Sequence, residues 1–147
     1  MRALDVALVK LRLPVQGVIP MRLSPDVGLL DDVVVLGYPP IPLSREPYLV
    51  CVPTTVAAVI DHYIVGRRHF VLSAMARGGF SGGVALTLGF ASATLGVVTE
   101  ALTQDAKPTE LGYLAVLSAE LVIEMLDHYG IEPRTVKMTK QGFIVRE

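Results

Sequence analysis

A glycine-rich stretch around Ser81 is the part of the sequence best suited to chemistry. Residues 77–84 read RGGFSGGV, so that one serine lies between two pairs of glycines. Glycine permits positive φ angles and close approach of other groups, and several hydrolase classes expose a serine nucleophile on such a turn. The alternative interpretation is a glycine-rich hairpin whose serine only hydrogen-bonds to its own turn.

The composition predicts one folded domain and excludes some classes of partner. The chain has 147 residues, of which 52% are hydrophobic and 18% charged, which suits a single domain with a core and argues against disorder. The net charge is −1 and the charges form no long run of one sign. We therefore expect no nucleic acid and no anionic membrane surface as partner.

The sequence gives no sign of a metal, a cofactor or a membrane span. It has no CxxC or HExxH pattern, and Cys51 is its single cysteine, so no intrachain disulfide can form. That favours a reducing compartment such as the cytoplasm, and Asp5 interrupts any apolar run that would resemble a signal peptide. Residues 78–99 carry no charge, but the glycines among them predict turns between short strands rather than a membrane helix.

The elements that must position Ser81 are predicted to be short strands. Runs rich in β-branched residues alternate with turn signals, and one helix is predicted from an N-cap at Ser118 to a C-terminal glycine at Gly130. The run at 54–60 could be a strand or a short helix, and 135–147 could form one more strand or fray. The pattern favours an all-β, mainly antiparallel barrel or sandwich with one late helix. The other predicted strands are 4–13, 33–37, 48–52 (split from 54–60 by Pro53), 63–65, 69–72, 84–88 and 94–99.

Four segments together resemble the trypsin-like serine peptidases, and most closely their bacterial, HtrA-like branch. They are LDVALVKL at 4–11, VVVLGYP at 33–39, GGFSGG at 78–83 and GYLAVLSAELVIEMLDHYG at 112–130. In that family such segments hold the triad aspartate, a strand with a Gly-Tyr/Asn-Pro turn, the G-x-S-G-G nucleophile turn, and the last strand with its helix. Each motif is short, but the four follow one another in the family's order.

The resemblance implies a role for each matching residue. Ser81 would be the acyl-transfer nucleophile and Asp5 the carboxylate that orients the base. The backbone N–H groups of Gly79 and Ser81 would form the oxyanion hole, which a tetrahedral intermediate requires. The substrate would be a polypeptide with a small or medium apolar residue at the cleaved bond. Its pocket would be formed by Met75 at the floor and by Val98, Thr99 and Glu100 at the wall.

The resemblance also implies a domain organisation. Residues 1–20 would be the end of the first barrel of a chymotrypsin-type double barrel, 21–117 the second barrel, 118–130 the C-terminal helix and 131–147 a tail. Residues 1–147 would then be one incomplete peptidase domain, completed by an upstream barrel or by a partner chain.

The sequence departs from the family pattern in three ways. The triad histidine lies upstream of the aspartate in that family, whereas the three histidines here all follow Asp5 and match no histidine motif. Phe80 stands where animal enzymes have an aspartate, so zymogen-type activation is not expected, and Val84 replaces the usual proline. We therefore expect the isolated chain to lack proteolytic activity. The three histidines are His62, His69 and His128.

Two other functions compete with a serine endopeptidase. One is a non-catalytic binding module, or a remnant, with the same trypsin-like fold. The other is an esterase of the α/β-hydrolase type, because Gly79-x-Ser81-x-Gly83 also fits the nucleophile elbow of that fold. The elbow requires a helix directly after the serine, whereas the barrel requires a strand, so the structure of residues 84–93 discriminates between them.

Overall fold

The computed structural model describes residues 6–13, 22–62, 66–74, 78–88, 92–102, 112–133, 135–139 and 142–146. Most of the elements in this part of the chain are β-strands, and one α-helix follows the seventh strand. In chain order they are β1 (Arg22–Leu23), β2 (Asp32–Gly37), β3 (Val50–His62), β4 (Arg67–Leu72), β5 (Val84–Thr87), β6 (Ala93–Leu102), β7 (Tyr113–Ser118), α1 (Ala119–His128), β8 (Thr135–Thr139) and β9 (Gly142–Arg146).

Six of the strands close into an antiparallel barrel in the order β5-β2-β3-β4-β7-β6. Closure comes from β5, which pairs with β2 through Val35↔Ala85 and with β6 through Val84↔Val97. The order β5-β2-β3-β4 is that of a Greek key, in which a fourth strand returns to lie beside the first. The predicted all-β, mainly antiparallel fold with a C-terminal helix is confirmed.

The barrel interior follows from the period-2 alternation of the strands. In β2, Val33 and Val35 are completely buried, while the alternate residues Val34 and Leu36 are only partly buried. Apolar side chains from several strands meet inside the barrel in the same way, because removing them from water drives folding. The buried core consists of Val33, Val35, Val56, Phe70, Leu72, Ala74, Phe80, Ala85, Leu95, Val98, Leu114 and Val116.

Strand β3 is longer than expected, because Pro53 lies within it instead of ending it. The first part of β3 pairs with β2, as in Val34↔Pro53, whereas the pairing with β4 begins only at Val56. Beside Pro53, one side of β3 therefore has no neighbouring strand within the described residues. A proline lacks only a backbone donor, and such an open side tolerates that loss. The predicted break between 48–52 and 54–60 was wrong.

The N-terminal strand predicted at 4–13 is absent from the part of it that the structure describes. Residues 6–13 adopt no strand, and the apolar side chains of Leu8, Val9, Leu11 and Leu13 are exposed. Alternation and β-branched content favour a strand only where a partner strand is present to receive its hydrogen bonds. No such partner lies beside residues 6–13 within the described chain.

Helix α1 begins and ends as the sequence predicts. The side chain of Ser118 accepts a hydrogen bond from the Glu120 amide at 3.2 Å. At the other end, Gly130 has a φ of 67° and its amide donates to the Asp127 carbonyl, while the Ile131 amide donates to Leu126. This pair of bonds is a Schellman motif.

Two ion pairs tie α1 to the start of β4. Arg67 Nη1 lies 2.7 Å from a Glu124 carboxylate oxygen, and Arg68 Nη1 lies 2.9 Å from Glu120. The apolar side of the helix packs onto the barrel through the buried Leu121. These arginines are the first two residues of β4, which therefore begins two residues before the strand predicted at 69–72.

The strands outside the barrel extend the sheet from β6. Strand β1 is parallel to both β6 and β8, and β8 forms an antiparallel hairpin with β9. The C-terminal tail therefore contributes two strands rather than one. Over the described residues, no helix is both long enough and apolar enough to cross a membrane.

Candidate functional site

The turn that carries Ser81 is anchored by its neighbour Phe80. The Phe80 side chain is only 3% exposed and belongs to the barrel core, whereas Ser81 is exposed. The chain therefore leaves the core at Phe80 and reaches the surface at the next residue. Phe80, which the resemblance places where animal enzymes have an aspartate, is a core residue in this structure.

Hydrogen bonds fix the backbone of this turn. The Gly83 amide donates to the Phe80 carbonyl at 2.8 Å, and Gly82 has a φ of 80°, the combination found in type II turns. The turn is also tied to β6, because the Gly82 amide donates to the Val98 carbonyl at 2.8 Å and the Val98 amide donates to Gly83 at 2.9 Å. Ser81 is thus displayed on a braced turn.

Gly79 packs closely against the segment that follows β2. Its φ is 98°, and a Cβ at this position would lie 2.6 Å from Pro39 Cα and 2.9 Å from Pro40 Cδ. Real Cβ atoms essentially never come that close to a backbone atom. Only glycine therefore fits between the serine turn and the two prolines.

A cleft of about 370 Å³ opens beside Ser81. One wall is the turn itself, at Gly79 and at residues 81–83. The other described lining residues lie around the end of β2, directly before β3 and at the start of β5. Their larger side chains are Leu36, Tyr38, Leu49 and Val84.

Backbone donors near this cleft are available for a ligand. Neither the amide of Gly79 nor the amide and hydroxyl of Ser81 makes a hydrogen bond with another residue that the structure describes. Free N–H groups beside an exposed hydroxyl are what a site for a negatively charged oxygen requires. Ser81, the predicted nucleophile, and Gly79, the other residue of the predicted oxyanion hole, thus line the same cleft.

The other predicted site residues are not in the cleft or lie outside the described chain. Asp5 and Met75 lie outside the described residues. Val98 contacts the turn through its backbone, but its side chain is buried in the core. The remaining wall residues are in β6: Thr99 sits at a β-bulge, with its hydroxyl 3.4 Å from the Ala115 carbonyl, and Glu100 pairs in register with Ala115.

No histidine whose side chain is described lines the cleft. His69 is buried in β4, with Nδ1 3.0 Å from the Arg67 carbonyl oxygen. His128 is exposed on α1, where its ring meets Tyr129 edge to face. His62 lies in β3, paired with Arg67. The described lining of the cleft contains no histidine, aspartate, glutamate or lysine, and the described residues form no group of three or more His, Cys, Asp or Glu side chains that could hold a metal ion.

The residues after Ser81 form β5. A nucleophile elbow of the α/β-hydrolase type needs a helix at this point. The esterase alternative consequently lacks its structural context.

The cleft contains residues that sequence reasoning did not single out. Leu36 and Tyr38 flank the end of β2, and Leu49 is brought to them because Gly37 pairs with Val50. The prolines after Tyr38 did signal a turn there. No local pattern, however, could connect Leu49 with Ser81.

Fold and site together define a closed antiparallel β-barrel that displays a serine beside an apolar cleft. No protein-family model and no curated protein matches the chain. Any function must therefore be argued from these residues.

Proposed function

We propose that Ser81 is the nucleophile of a serine endopeptidase of the trypsin-like type. The observation that carries the proposal is the braced turn, in which buried Phe80 holds Ser81 at the mouth of the cleft. The order of the four sequence segments and the antiparallel barrel are consistent with it.

In the proposed reaction the Ser81 hydroxyl oxygen attacks a peptide carbonyl. The amides of Gly79 and Ser81 stabilise the negative charge that develops on the carbonyl oxygen. The C–N bond then breaks, the acyl group stays on Ser81, and the amine leaves with a proton. Water hydrolyses the ester and regenerates the serine.

The base that removes the serine proton comes, in this proposal, from an upstream barrel or a partner chain. Neither His69 nor His128 lines the cleft, and a serine hydroxyl without a base is a weak nucleophile. Removing the triad from another serine peptidase leaves only about 10³–10⁴-fold acceleration over water. The isolated chain should therefore not digest casein appreciably.

The test replaces the missing base with free imidazole. The chain is treated with a fluorophosphonate at neutral pH, with and without imidazole, and the rate of labelling at each serine is followed by mass spectrometry. A general base contributes typically 10²–10⁴-fold. Since a diffusing base is less well placed than a side chain, we expect labelling of Ser81 to accelerate by about tenfold.

Ser73 is the internal control, because it is also exposed but follows β4 and does not line the cleft. Its labelling should stay at background, and the Ser81→Ala variant should show no imidazole-dependent label. Equal labelling of Ser73 and Ser81 would contradict the proposal. Rapid labelling of Ser81 without imidazole would mean that a base within the chain reaches it.

The second candidate function is a non-catalytic binding module with the same barrel. It is favoured by one observation, namely that none of the described cleft residues is a histidine, an aspartate, a glutamate or a lysine. In that case peptides bind beside Ser81, but imidazole leaves the labelling of Ser81 at the level of Ser73.

A further inference from the structure

The chemical character of the cleft limits what can occupy it. Its described side chains are apolar, apart from the Tyr38 and Ser81 hydroxyls, and none of the described lining residues carries a charge. The volume of about 370 Å³ lies within the range of small-ligand pockets. When a carbonyl oxygen occupies the Gly79 and Ser81 donors, a charged side chain among the apolar lining residues loses hydration without gaining a charged partner.

The free backbone donors and the serine hydroxyl of the cleft lie on the wall formed by the Ser81 turn, and Tyr38 is the one other described lining residue with a polar side chain. Ser81 provides a hydroxyl and an amide, and Gly79 provides another amide, while Leu36, Leu49 and Val84 contribute apolar surface. A ligand that satisfies both walls has a carbonyl oxygen close to an apolar group. An amino-acid residue with an apolar side chain, held within a polypeptide, has that chemistry.

We infer that this cleft is a specificity pocket, which takes an apolar side chain such as leucine or phenylalanine next to the carbonyl that Ser81 attacks. The inference rests on the proposed function and adds the class of substrate to it. The pocket is formed by residues other than those of the predicted pocket, whose Val98 side chain belongs to the core. Leu49 is its most accessible determinant, since the residue is 52% exposed and can be replaced without opening the core.

Binding is measured with the capped peptides Ac-Ala-Ala-X-Ala-NH₂, in which X is leucine, phenylalanine, glutamate or lysine. Each peptide is titrated into the ¹⁵N-labelled chain, and the backbone amide signals of residues 78–84 are followed by NMR. The leucine and phenylalanine peptides should shift these signals and bind about tenfold or more tightly than the two charged peptides, because one pocket contact typically discriminates by this much.

Substitutions of Leu49 then locate the pocket. Leu49→Asp should weaken the binding of the leucine peptide by about tenfold, and Leu49→Lys should raise the affinity for the glutamate peptide. Leu43→Asp is the matched control. Leu43 lies in the same segment between β2 and β3 and is fully exposed, but it does not line the cleft. This control should bind the leucine peptide like the unmodified chain.

Equal binding of all four peptides would overturn the inference, as would an equal loss in the Leu43→Asp and Leu49→Asp variants. The fluorophosphonate experiment keeps the two proposals apart. Apolar preference without imidazole-dependent labelling of Ser81 supports the pocket and rejects the catalytic function. Labelling without apolar preference supports the nucleophile and rejects the pocket.

Discussion

Gly79→Ala is the substitution that most directly tests how the Ser81 turn is held. The φ of 98° is one that residues with a Cβ rarely adopt, and a left-handed conformation costs such residues about 1–2 kcal/mol. The new methyl group would also lie 2.6 Å from Pro39 Cα, and overpacking of this kind costs about 1–3 kcal/mol. A shift of the turn relieves part of both costs, so we expect a loss of about 2–4 kcal/mol in the free energy of unfolding.

The neighbouring glycine provides the control. Gly78 does not have a positive φ, and a Cβ there would meet no atom within 4 Å. Gly78→Ala should consequently change the free energy of unfolding by no more than about 0.5 kcal/mol. The difference between the two variants removes any general effect of replacing glycine by alanine on the unfolded chain.

Urea titration followed by far-ultraviolet circular dichroism measures both variants, since the chain has no tryptophan for a fluorescence assay. If Gly79→Ala is as stable as Gly78→Ala, the close packing of the turn against the prolines is wrong. If it is destabilised, the NMR signals of residues 79–83 should move with those of Tyr38. The binding cleft should then lose affinity for the leucine peptide as well.

Two further substitutions test the supports of the site and of the helix. Phe80→Ala should destabilise the chain by about 3–5 kcal/mol, because the side chain is buried in the core. Leu43→Ala, at a fully exposed position, should have little effect. Equal urea midpoints for the two variants would contradict the anchoring role of Phe80. Arg67→Glu should lower the free energy of unfolding by at most about 1 kcal/mol, because both side chains of the ion pair with Glu124 are about half exposed. The double variant Arg67→Glu/Glu124→Arg should recover most of this loss at low salt. A thermal melt in 1 M NaCl, where no difference should remain, checks that the effect is electrostatic.

The parts of the fold that were predicted correctly depend on local signals. Strand β2 follows from the run of valines, and the β5–β6 hairpin from two apolar runs around a short turn. The helix was located by its caps, because Ser118 and Gly130 satisfy backbone groups within a few residues of themselves. Many short strands with turn residues between them predicted an antiparallel barrel or sandwich, and the pairing of β5 with β6 makes it a barrel.

The errors arose where the outcome depends on partners that are distant in sequence. Pro53 is compatible with a strand only because β4 pairs with β3 from Val56 onwards, and no sequence pattern reports that register. Residues 6–13 carry a strand-like pattern of side chains but have no described partner strand. Strand propensity records how well side chains fit a half-buried sheet, so it cannot decide whether the sheet is there.

The same distinction explains why a nucleophile can be argued for this chain more firmly than a base. The exposure of Ser81 is determined within a few residues, by the burial of Phe80 and by the conformations that Gly79 and Gly82 allow. A base must come from another segment, and its position depends on strand register and on the closure of the barrel. Leu49 illustrates this, because it lines the cleft only through the pairing of β3 with β2. A serine turn can therefore be complete in a chain whose described histidines lie elsewhere. It follows that supplying a base from solution, rather than mutating the existing histidines, is the experiment to which this site should respond.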